Sequence, residues 1–155
     1  VMGRLTDAQI NIPVLKDHNL CGVTCSLKNY FGAIHNPNKY HENGCDPYIA
    51  DLNSVPHIKE QQKLVVCDAL RVQYHAGPSY HPKWAEYFGG IIMGDDPVAV
   101  DFVGYKIIDK IRERYGLLSL EKSNRIPKHI FTAADEDHQL GKANMKEIDL
   151  VEMTI

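Results

Sequence analysis

Residues 90–116 read "GIIMGDDPVAVDFVGYKIIDKIRERYG". A short apolar run, Ile91 to Met93, is cut off by two aspartates. A helix follows at once. Asp96 suits the N-cap, Pro97 the first helical position and Gly116 the stop, because each residue satisfies or spares the unpaired backbone groups at a helix end. Val100, Val103, Ile107, Ile111 and Tyr115 recur at helical spacing and form an apolar stripe. A buried strand leading directly into an amphipathic helix is the unit from which α/β folds are built, and it sets the expectation for the rest of the chain.

The same pattern appears upstream. "KLVVC", residues 63–67, is another short apolar run, closed by Asp68. "AQINIPVL", residues 8–15, alternates through Ile10, Ile12 and Val14 at strand period, with Pro13 at an edge or an end. These segments predict an α/β fold: a mainly parallel sheet containing residues 9–14, 63–67 and 90–93, with a helix over 97–115 packed on one face. "GVTCSLKNYF", 22–31, reads as a short helix stopped by Gly32. "PYIADLNSV", 47–55, reads as a helix opened by Pro47, and 127–139 as another short helix. "EIDLVEMTI", 147–155, alternates as a closing strand. Residues 33–47 and 75–90 are loops by composition. No repeat or low-complexity tract divides the chain, so residues 1–155 form one expected domain.

Bulk properties narrow the function. The chain has 155 residues, enough for one domain with a substantial core. Its apolar runs are too short to span a bilayer. The net charge is −3, with no block of lysine or arginine, which argues against a nucleic-acid partner. The sequence starts at Val1 without a signal peptide, so either a leader has been removed or the chain is a piece of a longer protein. Four cysteines form no CxxC pair, and a domain of this size does not require a disulfide framework. Cys21, Cys25 and Cys67 are expected to be buried, reduced and metal-free, as small apolar residues. Cys21 and Cys25 with His18 and His41 form a conceivable donor set for a divalent metal, but the spacing matches no common zinc or iron–sulfur pattern. No iron–sulfur cluster is therefore expected within the chain. His35 and His41, and His75 and His81, are each six residues apart in loops, a weak metal signal.

Polar residues cluster after the apolar runs: Lys16, Asp17 and His18; Asp68; Asp95 and Asp96. In open α/β sheets, sites form beyond the carboxyl ends of strands. Asp96 is best read as a cap. Asp101, set among apolar residues in "VAVDFVG", needs a partner if buried, whether structural or catalytic. Lys28 and Asn29 close the second helix. A solvated lysine complementing the helix dipole accounts for Lys28 alone. A shared site would have Lys16, His18, Lys28 and Asn29 facing Asp68 and Asp101 across the strand ends, with His18 as an acid–base group or metal ligand.

Four segments carry a resemblance: "INIPVLKDH" (10–18), "VTCSLKNYFG" (23–32), "VVCDALRVQYHAGP" (65–78) and "GDDPVAVDFVGYKII" (94–108). In this order they resemble the domain-of-unknown-function family numbered 362, from about residue 5 to residue 155, and "LGKANMKEIDLVEM" (140–153) resembles its usual end. The resemblance implies that an N-terminal half is missing here. Its relatives often carry ferredoxin-type iron–sulfur segments, and others carry twin-arginine export leaders, so the compartment is the cytoplasm or one reached by a leader outside this chain. The positions matching the family's polar signature are Lys16, His18, Lys28, Asn29, His41, Asp68, Gly77, Pro78, Asp96 and Asp101. His41, Gly77, Pro78 and Asp96 are the ligand-binding candidates among them.

Two functional readings follow. In the first, the domain binds a small anionic ligand or a metal at the strand ends, as a redox-associated enzyme or binding protein. In the second, it is a non-catalytic docking module of a redox or membrane-associated complex, presenting Tyr74, Tyr80, Trp84 and Tyr87 as a patch. The missing half, or another protein chain, should cover an apolar sheet edge or face.

Overall fold

A computed structural model describes residues 6–154. Its centre is β4 (Gln62–Gln73), flanked on one edge by β5 (Ala85–Gly94). The other edge carries β1 (Gln9–Asn11) and β2 (Val14–His18) in succession, β1 beside Gln62–Val65 and β2 beside Asp68–Gln73. Pro13 sits at the joint, where it has no N–H to offer, but its carbonyl accepts the N–H of Asp68 at 2.8 Å. β3 (Gly22–Thr24) closes the far edge. β1, β2 and β4 run parallel, β3 and β5 opposite to them. The α/β expectation therefore holds, with a mixed, mostly parallel sheet.

The helices are α1 (Ser26–Asn29), α2 (Tyr48–Asn53), α3 (Pro56–Lys59), α4 (Pro97–Arg114) and α5 (Lys128–Ala133). Between α1 and α2 the chain makes three 3-10 turns, Tyr30–Ala33, Pro37–Tyr40 and Glu42–Cys45. α4 opens as its sequence implies: the Asp96 carboxylate accepts the Ala99 N–H at 2.8 Å, and Pro97 follows. It packs on the sheet face formed by Val65, Cys67, Ala69 and Leu15, all fully buried. A Cβ on Gly104 would come within 2.8 Å of Leu15, so glycine lets the helix lie close to β2. An irregularity in the β4–β5 ladder between Ala69 and Arg71 shifts the alternation, which turns Val72 rather than Arg71 into the core.

Several expectations are corrected. Residues 22–24 are a strand, not the start of a helix: Gly22, at φ +77°, turns the chain back after His18, and a side chain there would strike the carbonyl of Arg125. Residues 90–93 belong to an antiparallel strand, because the connection over 74–84 is too short to hold a crossover helix. The buried face of α4 is wider than the expected stripe: Val100, Val103 and Ile111 are buried as expected, joined by Asp101, Gly104, Tyr105, Ile108 and Arg112, while Tyr115 is exposed. Residues 147–154 form no strand. Ile148 packs on the core, and Leu150, Val151 and Met153 face solvent. Cys21 is not reduced but bonded to Cys45, whereas Cys25 and Cys67 are buried free thiols with their sulfurs 3.2 Å apart.

The face opposite α4 is apolar and uncovered among the described residues. Ile10, Ile12 and Val14 expose 49–67% of their surface there, beside exposed Leu70, Ile91 and Met93. The expected aromatic patch does not form. Tyr74 is buried, stacked on Tyr115 at 4.6 Å, and Trp84 packs partly on the core, leaving Tyr80 and Tyr87 exposed.

Candidate metal centre

β2 ends at His18, and the tight turn into β3 follows. The turn folds the backbone onto the imidazole: Nδ1 of His18 accepts the N–H groups of Leu20 at 3.2 Å and Cys21 at 3.3 Å. His41 approaches from the 3-10 turns, and the two rings stack with centroids 5.8 Å apart. His41 Nδ1 lies 2.9 Å from the carbonyl of Pro37, to which it donates, leaving the Nε2 lone pair for an electrophile. A ring nitrogen donating to a backbone carbonyl is the usual support of a metal-binding histidine, because it fixes tautomer and orientation. Nζ of Lys28 lies 3.3 Å from His41 Nε2 and 4.6 Å from the centre of the Phe31 ring. Donor atoms of His18, Cys21 and His41 all lie within 4.8 Å of one another.

The fourth group is Cys45, joined to Cys21 through its sulfur. Its backbone is left-handed, φ 68°, as are those of Asn43 and Gly44 before it. This conformation is unfavourable for a residue with a Cβ and is held by its surroundings.

The electrostatics are one-sided. Burial lowers the basicity of His18 to about 3, reinforced by Lys28, His41, Lys16 and Arg125. Burial, then Lys16, lowers Lys28 to about 8. His129, on α5, is wholly buried and held at about 3 by burial, Lys28 and His18. Neither of its ring nitrogens has a hydrogen-bond partner among the described residues. Burial thus disfavours the charged form of both His18 and His129.

Of the residues expected to share a site, His18, Lys28 and His41 come together, with Lys16 within electrostatic reach. The others are placed elsewhere. Lys16 donates to the carbonyl of Pro78 at 3.2 Å, and with Asp68, Arg71, Pro78 and Tyr80 it lines a groove of about 620 Å³ on the bare face. The Asp68 carboxylate turns back on its own strand and accepts the N–H of Leu70 at 2.8 Å. Asn29 donates to Asn11 at 2.7 Å, and Asn11 in turn donates to Ser26, tying α1 to β1. Asp101 accepts the N–H groups of Ser26 at 2.6 Å and Leu27 at 3.2 Å, clamping the start of α1. Asp96 caps α4 and accepts the Lys142 N–H. Gly77 donates its N–H to Asp17 at 3.0 Å. Cys45 and His129 lie outside the residues the sequence singles out as a site. The spacing H-x-x-C at 18–21 and H-x-x-x-C at 41–45 is a signal for Cys45. His129 is remote in sequence and has none.

The chain belongs to the family described as Domain of unknown function (DUF362), whose profile matches residues 4–106. The match includes His18, Cys21, Lys28, His41 and Cys45 and ends before His129. No curated protein and no solved structure matches the chain.

Proposed function

We propose that this domain binds a divalent metal ion through His18, Cys21 and His41, and holds Lys28 beside it to pair with an anionic ligand. The convergence of three donor atoms within 4.8 Å, two of them on buried residues, carries the reading. Imidazole nitrogen with thiolate sulfur is a borderline-soft set that suits zinc and its neighbours, not calcium or magnesium. Because His18 Nδ1 accepts the Leu20 and Cys21 N–H groups, its proton sits on Nε2, and ligation requires the ring to exchange those N–H groups for the ion. Lys28 adds a compact positive charge that an anionic co-ligand would neutralise. The test is equilibrium dialysis against zinc under reducing conditions. Wild type should retain one equivalent, and the double variant His18→Ala, His41→Ala should bind about 100-fold more weakly or worse. Equal zinc retention by both proteins would end this reading.

A second reading rests on the bare sheet face. Its six exposed apolar side chains support burial against another chain or against an N-terminal half preceding this domain. Replacing Ile91 and Met93 with lysine should abolish concentration-dependent association in sedimentation velocity without lowering the melting temperature. Unchanged association would count against docking through this face.

A further inference from the structure

We infer that the Cys21–Cys45 bond is the closed state of a redox-gated metal site, and that its reduction frees Cys45 to join His18, Cys21 and His41 as the fourth ligand. The inference rests on the metal-binding reading above and adds its regulation. A disulfide sulfur is a poor ligand, and metals of this class take thiolates. The two states therefore exclude each other at Cys21. A dithiol reductant balances the opening step. It transfers two electrons and two protons, the S–S bond breaks, two thiols form, and the reductant closes to its own disulfide. On metal binding both thiols release their protons to solvent and two metal–sulfur bonds form, giving a four-coordinate set of two nitrogens and two sulfurs.

Charge supports the gate. Nζ of Lys28 stands 3.3 Å from His41 Nε2, so a positive charge already lies at the donor group. In the disulfide state neither sulfur carries charge, so a dication would enter beside Lys28 with no anionic ligand to meet it. Reduction followed by binding introduces two thiolates, which offset the two charges of the ion. Placement supports it as well. The run Asn43, Gly44, Cys45 is left-handed throughout and brings Cys45 onto Cys21 across 24 residues of chain. Cys25 and Cys67 play no part, since they are a separate thiol pair packed beside Asp101.

The experiment is a cobalt titration of the wild-type chain in two states: oxidised, and reduced with a dithiol that is then removed under anaerobic conditions. Reduced protein should bind one cobalt with a thiolate-to-metal charge-transfer band. Oxidised protein should bind on the order of 100-fold more weakly and show no such band. Cys45→Ser should bind weakly whatever the redox treatment, with a diminished band. Equal binding by oxidised and reduced wild type overturns the gate while leaving metal binding intact. Cys45→Ser matching reduced wild type overturns Cys45 as a ligand. Absence of binding in both states overturns the metal reading and the gate together.

Discussion

Asp17→Ala should destabilise the domain by about 3–5 kcal/mol, the usual result of removing one partner of a buried ion pair. Asp17 is fully buried, with Arg125 Nη1 at 3.0 Å and Arg112 Nη1 at 3.9 Å from the same carboxylate oxygen, and the Gly77 N–H at 3.0 Å on the other. Arg112 is itself only 3% exposed. It also donates to the carbonyls of Tyr74 and Leu118, so its charge is fixed in place by groups that do not neutralise it. Without Asp17 the guanidinium stays buried and uncompensated. In thermal denaturation the variant should melt about 10 °C or more below wild type. Adding Arg112→Met to Asp17→Ala should recover part of the loss, because the stranded charge is then gone. A melting temperature within a few degrees of wild type for Asp17→Ala alone would show that the ion-pair account is wrong.

Asp101→Leu should cost roughly 2–5 kcal/mol, because it strands two buried backbone donors, the N–H groups of Ser26 and Leu27. It also unfastens α1, a four-residue helix too short to persist without tertiary support. The pH dependence gives an independent check. Burial raises the Asp101 carboxyl from 3.8 to about 7, with the Cys25 thiol and the two backbone N–H groups pulling it down and Asp96 pushing it up. The folded protein therefore holds this proton at pH values where the unfolded chain has lost it. The associated stability is fully present below the unfolded value near 3.8 and is lost as pH rises through about 7. Urea unfolding of wild type and of Asp101→Asn between pH 4 and 8 isolates this contribution, because the amide does not titrate. The stability of wild type relative to the Asp101→Asn variant should fall as pH rises. A difference independent of pH would place the Asp101 carboxyl near its ordinary value.

How much of this is legible in the sequence depends on distance along the chain. The strand at 63–67 and the helix at 97–115 are readable because each is decided by local period and by caps such as Asp96 and Pro97. The direction of β5 is not, since it depends on how the short connection over 74–84 returns. Neither is the full width of the buried face of α4, whose Asp101 and Arg112 answer to partners 75 and 38 residues away. The closing alternation at 147–155 is a real pattern without a neighbouring strand to pair with among the described residues. His18, Lys28 and His41 stand out individually. Their assembly with Cys45 requires the left-handed run at 43–45, which no apolar period announces. Asp101 is sound as a buried acid, whereas Asp68 lies in the middle of β4 rather than at a strand end, and each satisfies backbone N–H groups rather than a shared site.

β1 and β2, laid end to end along one edge of β4, also set an order of events in time. β4 and β5 are joined by a short connection and can zip together early. β1 and β2 must close a loop of about fifty residues before they find β4, an entropic delay that slows non-local parallel pairing. His18 sits at the end of β2 and His41 and Cys45 lie within that loop, so these side chains cannot come together until the slow step is complete. The half-built protein would be a hairpin with a helix and scattered ligands. His18, Cys21 and His41 would come within reach of one another only after the last strands dock.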